Sequence, residues 1–199
     1  MGGLYVTPDT RYRDVDRGVA IARLATSRHV SDGLPHRSML SRVAADGITA
    51  VKTRSTFRMQ CAVSADIEAA PDRVWALLTR ADDMVRWNST LTSVEGSVEP
   101  RGSVRMQVPE APSRTFKIKV SKFVPNQEMV WRNGNPVIFL AVRTYSLTPN
   151  PDHSITRFRM TEVFSGLMLP MVARRLPDFG PIFERYAADL KAEAEKNRT

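Results

Sequence analysis

The hydrophobic pattern of the chain changes character at Met59. From Met59 to Glu68, Cys61, Val63, Ala65 and Ile67 alternate with Ala62, Ser64, Asp66 and Glu68, the two-residue period of a strand with one buried face. Ala70-Pro71-Asp72 then opens a helix that runs to Leu78. Proline suits the first turn, an acid there complements the unpaired N–H groups, and Val74, Leu77 and Leu78 form the apolar stripe. The helix breaks at Asp82-Asp83, and a short turn carries Val85 and Trp87. Period two returns from Leu91 to Val98, from Ser103 to Val108, in Phe116, Ile118 and Val120, and from Met129 to Arg132. After the loop signal Asn133-Gly134-Asn135-Pro136 it fills two long strands, Phe139 to Leu147 and Ser154 to Phe164, which pair as a hairpin. Such alternation marks an antiparallel sheet with one dry face.

The tail is helical. Leu167, Met168, Met171 and Val172 suit a short helix ended by Pro177. Phe179, Phe183, Tyr186, Ala187, Leu190 and Ala194 then form the narrow stripe of a long helix ending near Glu195. The order of elements predicts an α+β fold in which a curved antiparallel sheet wraps a long C-terminal helix and leaves an internal cavity.

Residues 1–58 read differently. They hold no Glu, Gln or Trp, and their only helical patches, Val19 to Ala25 and Arg37 to Ala45, are too short to hold alone. The expectation is a basic, disordered or loosely ordered extension over 1–58 and a folded domain over 59–196. The alternatives are a basic arm for nucleic acid or anionic lipid, and a helix-turn-helix turning at Ser31-Asp32-Gly33. The net charge is +8, but residues 1–58 carry ten Lys/Arg against five Asp/Glu. Most of the excess therefore lies outside the domain, and nucleic acid is a poor partner for the domain itself.

Several chemistries drop out. A single cysteine, Cys61, excludes an internal disulfide, and His29, His36 and His153 show no ligand spacing, so no metal and no cofactor are expected. No glycine-rich phosphate loop exists, and Phe164-Ser165-Gly166 lacks the first glycine of a nucleophile elbow. Arg174-Arg175 reads as a solvated face. No secretory signal and no apolar run of ~18 residues are present. The chain is read as cytoplasmic, a monomer or homodimer, with membrane contact unsupported by sequence.

In Ala70 to Leu78, Arg86-Trp87-Asn88, Val94-Glu95-Gly96, Trp131, Arg143 to Leu147, Thr156-Arg157-Phe158 and Glu162 to Leu167, the chain resembles the START-like or SRPBCC superfamily. These are polyketide cyclase/dehydratase-like proteins with the helix-grip fold of the birch pollen allergen. The resemblance covers residues 59–196 and implies a cavity for a lipid-like, aromatic or polyketide-like molecule. Some members are cyclases or dehydratases and many only bind or carry. Several relatives place an acid–histidine pair where this chain has Val142-Arg143, so that pair's chemistry does not carry over.

Strand parity picks out the inner face. Glu162 shares its side with Phe158, Met160 and Phe164, and Arg143 shares its side with Phe139, Ala141, Tyr145 and Leu147. An acid and a base facing inward on neighbouring strands have three readings: a polar anchor for a ligand, a catalytic pair with Glu162 as general base, or a structural ion pair. The expected ligand-binding set is Trp87, Met106, Ile118, Trp131, Arg143, Tyr145, Met160, Glu162, Phe164, Met168, Phe179, Phe183 and Tyr186. The catalytic candidates are Glu162, Arg143 and Tyr145. The leading function is binding or transport of a small hydrophobic ligand; the alternative is a polyketide cyclase/dehydratase-type enzyme. A third reading is an interaction protein acting through its basic arm.

Overall fold

The computed structural model describes residues 47–196. The helical patches and helix-turn-helix reading within residues 1–46 lie outside the described residues.

Eight strands form one sheet: β1 (Val51–Arg54), β2 (Arg58–Ile67), β3 (Ser93–Gly96), β4 (Ser103–Gln107), β5 (Phe116–Val124), β6 (Glu128–Asn135), β7 (Phe139–Pro149) and β8 (Thr156–Ser165). Their spatial order is β1-β2-β8-β7-β6-β5-β4-β3, and every pairing is antiparallel. Five short and long helical segments accompany it: α1 (Pro71–Thr79), a 3-10 turn (Ala81–Asp83), α2 (Met84–Trp87), α3 (Leu169–Val172) and α4 (Phe179–Glu195). The curved sheet and the long terminal helix are the helix-grip arrangement expected from the sequence.

Two boundaries differ from expectation. β1 lies inside the stretch read as an extension, and Ile48 before it is buried in the core. Its alternation is masked because all four residues of this edge strand are exposed, so the pattern carries no in/out signal. β6 runs through the expected loop to Asn135. Gly134 makes this fit: its φ of 103° is open to glycine, and a Cβ there would collide with the Phe139 carbonyl across the hairpin.

A register shift between Val120 and Lys122 bulges β5 at Ser121. The bulge inverts parity beyond it. Phe123 turns inward to meet Trp75 edge-on at 5.1 Å, and Lys122 turns outward to pair with Glu128 at 2.8 Å.

Helix α4 is held at its two ends and one flank. Asp178 caps its N-terminus by accepting from the Gly180 N–H at 3.0 Å, and also accepts from Lys52 at 2.7 Å. The Ala50 N–H donates to Glu184 at 2.9 Å. At the other end Arg73 of α1 donates to the carbonyls of Glu193, Ala194 and Lys196 in the last turn, where helical carbonyls run out of N–H partners; the Glu193 carbonyl also accepts from the Lys196 N–H. On the flank, the Ser89 N–H and hydroxyl both donate to Asp189. These ties fix the rod against the sheet. Phe183, Tyr186, Ala187 and Leu190 face the core.

Candidate functional site

Antiparallel register aligns side chains of one face into rows across the sheet. One row runs Cys61, Glu162, Arg143, Trp131 and Val120 on β2, β8, β7, β6 and β5. The next runs Val63, Met160, Tyr145 and Met129. Between these rows and α4 lies a cavity of about 260 Å³. Its walls are aromatic and aliphatic: Phe116, Ile118, Trp131, Met160, Phe164, Phe179, Phe183 and Tyr186 among them. Arg143 and Glu162 are the charged groups set into the wall, while Glu110, Arg114, Arg132 and Arg175 stand exposed at its edge. A larger depression of about 840 Å³ lies near Pro71, Asn126 and His153, but the charged groups that line it, Asp72, Lys122 and Glu128, are not buried.

The Arg143 Nη2 donates to Glu162 Oε2 at 2.6 Å and its Nε to the same oxygen at 3.2 Å. No described residue bonds Oε1. Arg143 also sits over the Phe183 ring at 5.2 Å and reaches the Tyr145 hydroxyl at 3.5 Å. Burial by itself would lower the guanidinium's pKa, but the Glu162 carboxylate and Tyr145 outweigh it and hold the group above its ordinary range. Arg143 is therefore a fixed cation. Burial raises the Tyr145 phenol, against the pull of Arg143, and raises Tyr186 further. Both stay protonated donors at neutral pH.

Two of the buried polar atoms around the cavity have no protein partner: the Trp131 indole N–H and the Tyr186 hydroxyl. Burial and the neighbouring Tyr145 raise the Tyr186 pKa, but the two hydroxyls are not aligned for a hydrogen bond. An unsatisfied buried donor costs about 1–3 kcal/mol.

Of the expected lining, Met106, Ile118, Trp131, Arg143, Met160, Glu162, Phe164, Phe179, Phe183 and Tyr186 surround this one cavity. Three expected residues do not. Trp87 plugs the helix–sheet junction and meets Tyr186 edge-on at 5.7 Å. Tyr145 has the expected inward parity but is fully buried behind the wall, its ring packed on Trp131 at 5.1 Å. Met168 is exposed, because Leu169 and Ala173 take the buried side of the α3 segment. Phe116, Phe139, Ala141 and Ile182 line the cavity without having been singled out. The inward parity of Phe139 and Ala141 was the signal available for those two.

Cys61 shares the row with Glu162 and is buried. Burial pushes its thiol up to about 11, with the Lys52 ammonium pulling back and Glu162 adding to the rise. The folded pKa exceeds the unfolded one of ~8.5, so this contribution to stability is full below that pH and is lost as pH rises towards 11. Tyr145 and Tyr186 act in the same direction. We expect urea-unfolding stability to decline above about pH 9, with Cys61→Ala losing on the order of 1–2 kcal/mol of that alkaline decline. An identical slope in the variant assigns the decline to the tyrosines.

Among the described residues, no group of three or more His, Cys, Asp and Glu side chains is placed to hold a metal ion, and no helix is long and apolar enough to cross a membrane.

Residues 58–195 match the family described as polyketide cyclase / dehydrase and lipid transport, and the chain belongs to that family. Solved structures agree on the fold. A START superfamily protein from Mycobacterium smegmatis is 13% identical with a TM-score of 0.52, over 68% of this chain and 97% of that one. CalU16 from Micromonospora echinospora is 12% identical with a TM-score of 0.54, over 76% and 86%. The di-domain ARO/CYC protein BexL of the BE-7585A biosynthetic pathway is 15% identical with a TM-score of 0.55, over 71% of this chain and 52% of its own. No curated protein matches the chain in sequence.

Proposed function

We propose that the protein binds and carries a single compact, largely apolar molecule bearing at least one hydrogen-bond acceptor. The observation that carries this reading is an apolar void with one charged pair set into its wall, the Arg143 guanidinium held by Glu162. Apolar walls with a few placed polar groups are the usual form of a small-molecule site. The volume of about 260 Å³ lies just under the ~300–1,000 Å³ common for such sites, which favours one ring system or short acyl chain over a two-chain lipid. The family description, which joins cyclisation with lipid transport, supports a hydrophobic guest.

Native mass spectrometry of the full chain tests this. The expected result is a bound small molecule, released by organic solvent, at one per chain. A mass equal to the bare chain before and after incubation with aromatic and acyl candidates contradicts it.

A cyclase or dehydratase reaction is the second reading. The free Oε1 of Glu162 favours it, since that oxygen is open to accept a proton from a bound carbonyl compound while Arg143 steadies the developing charge. Tyr145 is set behind Arg143 and orients it. Under this reading Glu162→Gln retains the bound molecule but stops its conversion; the carrier reading predicts no conversion by either protein.

A further inference from the structure

The exposed large apolar side chains of the described residues are not scattered. Val137 (62% exposed), Ile138, Leu167 (66%), Met168, Met171 (72%) and Phe57 stand together, and only Val51 and Val85 lie elsewhere. Backbone bonds fix the grouping. The Leu167 N–H donates to the Val137 carbonyl and the Met168 N–H to that of Ile138, both at 3.0 Å, while the Gly166 N–H donates to Phe57. The β6–β7 turn, the β1–β2 turn and the start of α3 therefore form one surface with protruding apolar tips. Gly166 permits the close approach: its φ is 128°, and a Cβ there would collide with the Ile138 carbonyl.

Charge within the segments that carry these tips has one sign, and the exposed acid at the adjoining cavity edge, Glu110, stands on the β4–β5 loop with Arg114. Residues 54–58, 132–142 and 165–177 contain Arg54, Arg58, Arg132, Arg174 and Arg175 and not one Asp or Glu. All five are exposed, and none forms an ion pair among the described residues. The same surface is continuous with the cavity. Arg132, Phe139, Arg175 and Leu176 belong both to these segments and to the cavity lining. Protruding apolar side chains ringed by arginine are the chemistry of a surface that seats at the boundary of an anionic bilayer. The apolar tips enter the acyl region and the guanidiniums meet lipid phosphates.

We infer that the β6–β7 turn and the α3 segment dock the protein on an anionic lipid surface, with the cavity mouth facing the bilayer. Arg174-Arg175 then acts at the membrane rather than as a bare solvated face. The docking stands on the surface itself; only its purpose, passing an apolar guest without exposure to water, rests on the proposed carrier function.

The test is vesicle flotation of the full chain with phosphatidylcholine alone and with about one-third phosphatidylglycerol. Leu167→Ser with Met171→Ser removes apolar tips, and Arg58→Gln with Arg174→Gln removes charge; none of these four side chains lines the cavity. We expect flotation with the anionic vesicles, weakened by salt and reduced at least about tenfold by either pair of substitutions. Binding of an apolar probe in solution should be unchanged in both variants. Flotation that behaves so while no form binds the probe supports the docking and removes the carrier function. Absence of flotation overturns the inference. So does flotation that survives the serine variant, which places the contact in residues 1–46. Loss of a dimer in the serine variant, read by light scattering without any flotation, overturns it in favour of a contact between two copies.

Discussion

Glu162→Ala should destabilise the domain by about 2–4 kcal/mol, a fall in Tm on the order of 10 °C. The reason is asymmetric. The intact pair gains little net energy, because both charges gave up water to be there. Removing one partner strands the other, and Arg143 cannot discharge, because a guanidinium stays protonated in proteins. Breaking a fully buried pair costs about 3–5 kcal/mol; the lower figure applies because Arg143 and Glu162 border a cavity and retain 19% and 10% side-chain exposure. The double substitution Arg143→Met with Glu162→Leu separates structure from function. It should restore stability to within about 1 kcal/mol of the wild type, since apolar replacements of a buried pair are often neutral. It should still lose affinity for a guest with a carboxylate or carbonyl group. Chemical denaturation of the three proteins gives the first result, and ligand titration the second. A stable double variant with undiminished affinity makes the pair purely structural.

Ala141→Trp should abolish binding of an apolar probe while leaving Tm within a few degrees. Ala141 sits on the inner face of β7 and lines the cavity, paired in register with Phe164. An indole there grows into the space between sheet and α4. Forcing a large side chain into a packed core costs about 1–3 kcal/mol or more. Forcing it into a void costs little, and gains contacts the empty wall lacks. Thermal melting and probe titration on the same preparation distinguish the two: preserved Tm with affinity lowered at least about tenfold identifies a void that serves as the site, whereas a severe loss of stability shows that no room exists.

How much of this was legible follows from what periodicity encodes. Parity along β7 and β8 placed Arg143 and Glu162 on the inner face, and the register pairs them directly. Parity gives a face but not a depth. Tyr145 is on the predicted side, yet Trp131 and Tyr186 close over it and take the place at the wall. The β5 bulge shows the converse: Ser121 adds one residue, and Lys122 and Phe123 exchange the faces that uninterrupted alternation gives them. Met168 was assigned by helical period, but α3 spans only Leu169–Val172, too short for period to decide which methionine turns inward. The Arg73 cap on α4 joins residues about 120 apart in sequence and leaves no local trace.

The most direct measurement is calorimetric titration of the full chain with a small bicyclic aromatic acid, repeated over a range of temperatures. An enclosed apolar chamber with a guanidinium in its wall predicts one site per chain and a negative heat-capacity change. It also predicts markedly weaker binding of the uncharged hydrocarbon. No saturable heat, or binding at several sites insensitive to Ala141→Trp, would mean that the space beneath α4 receives no guest.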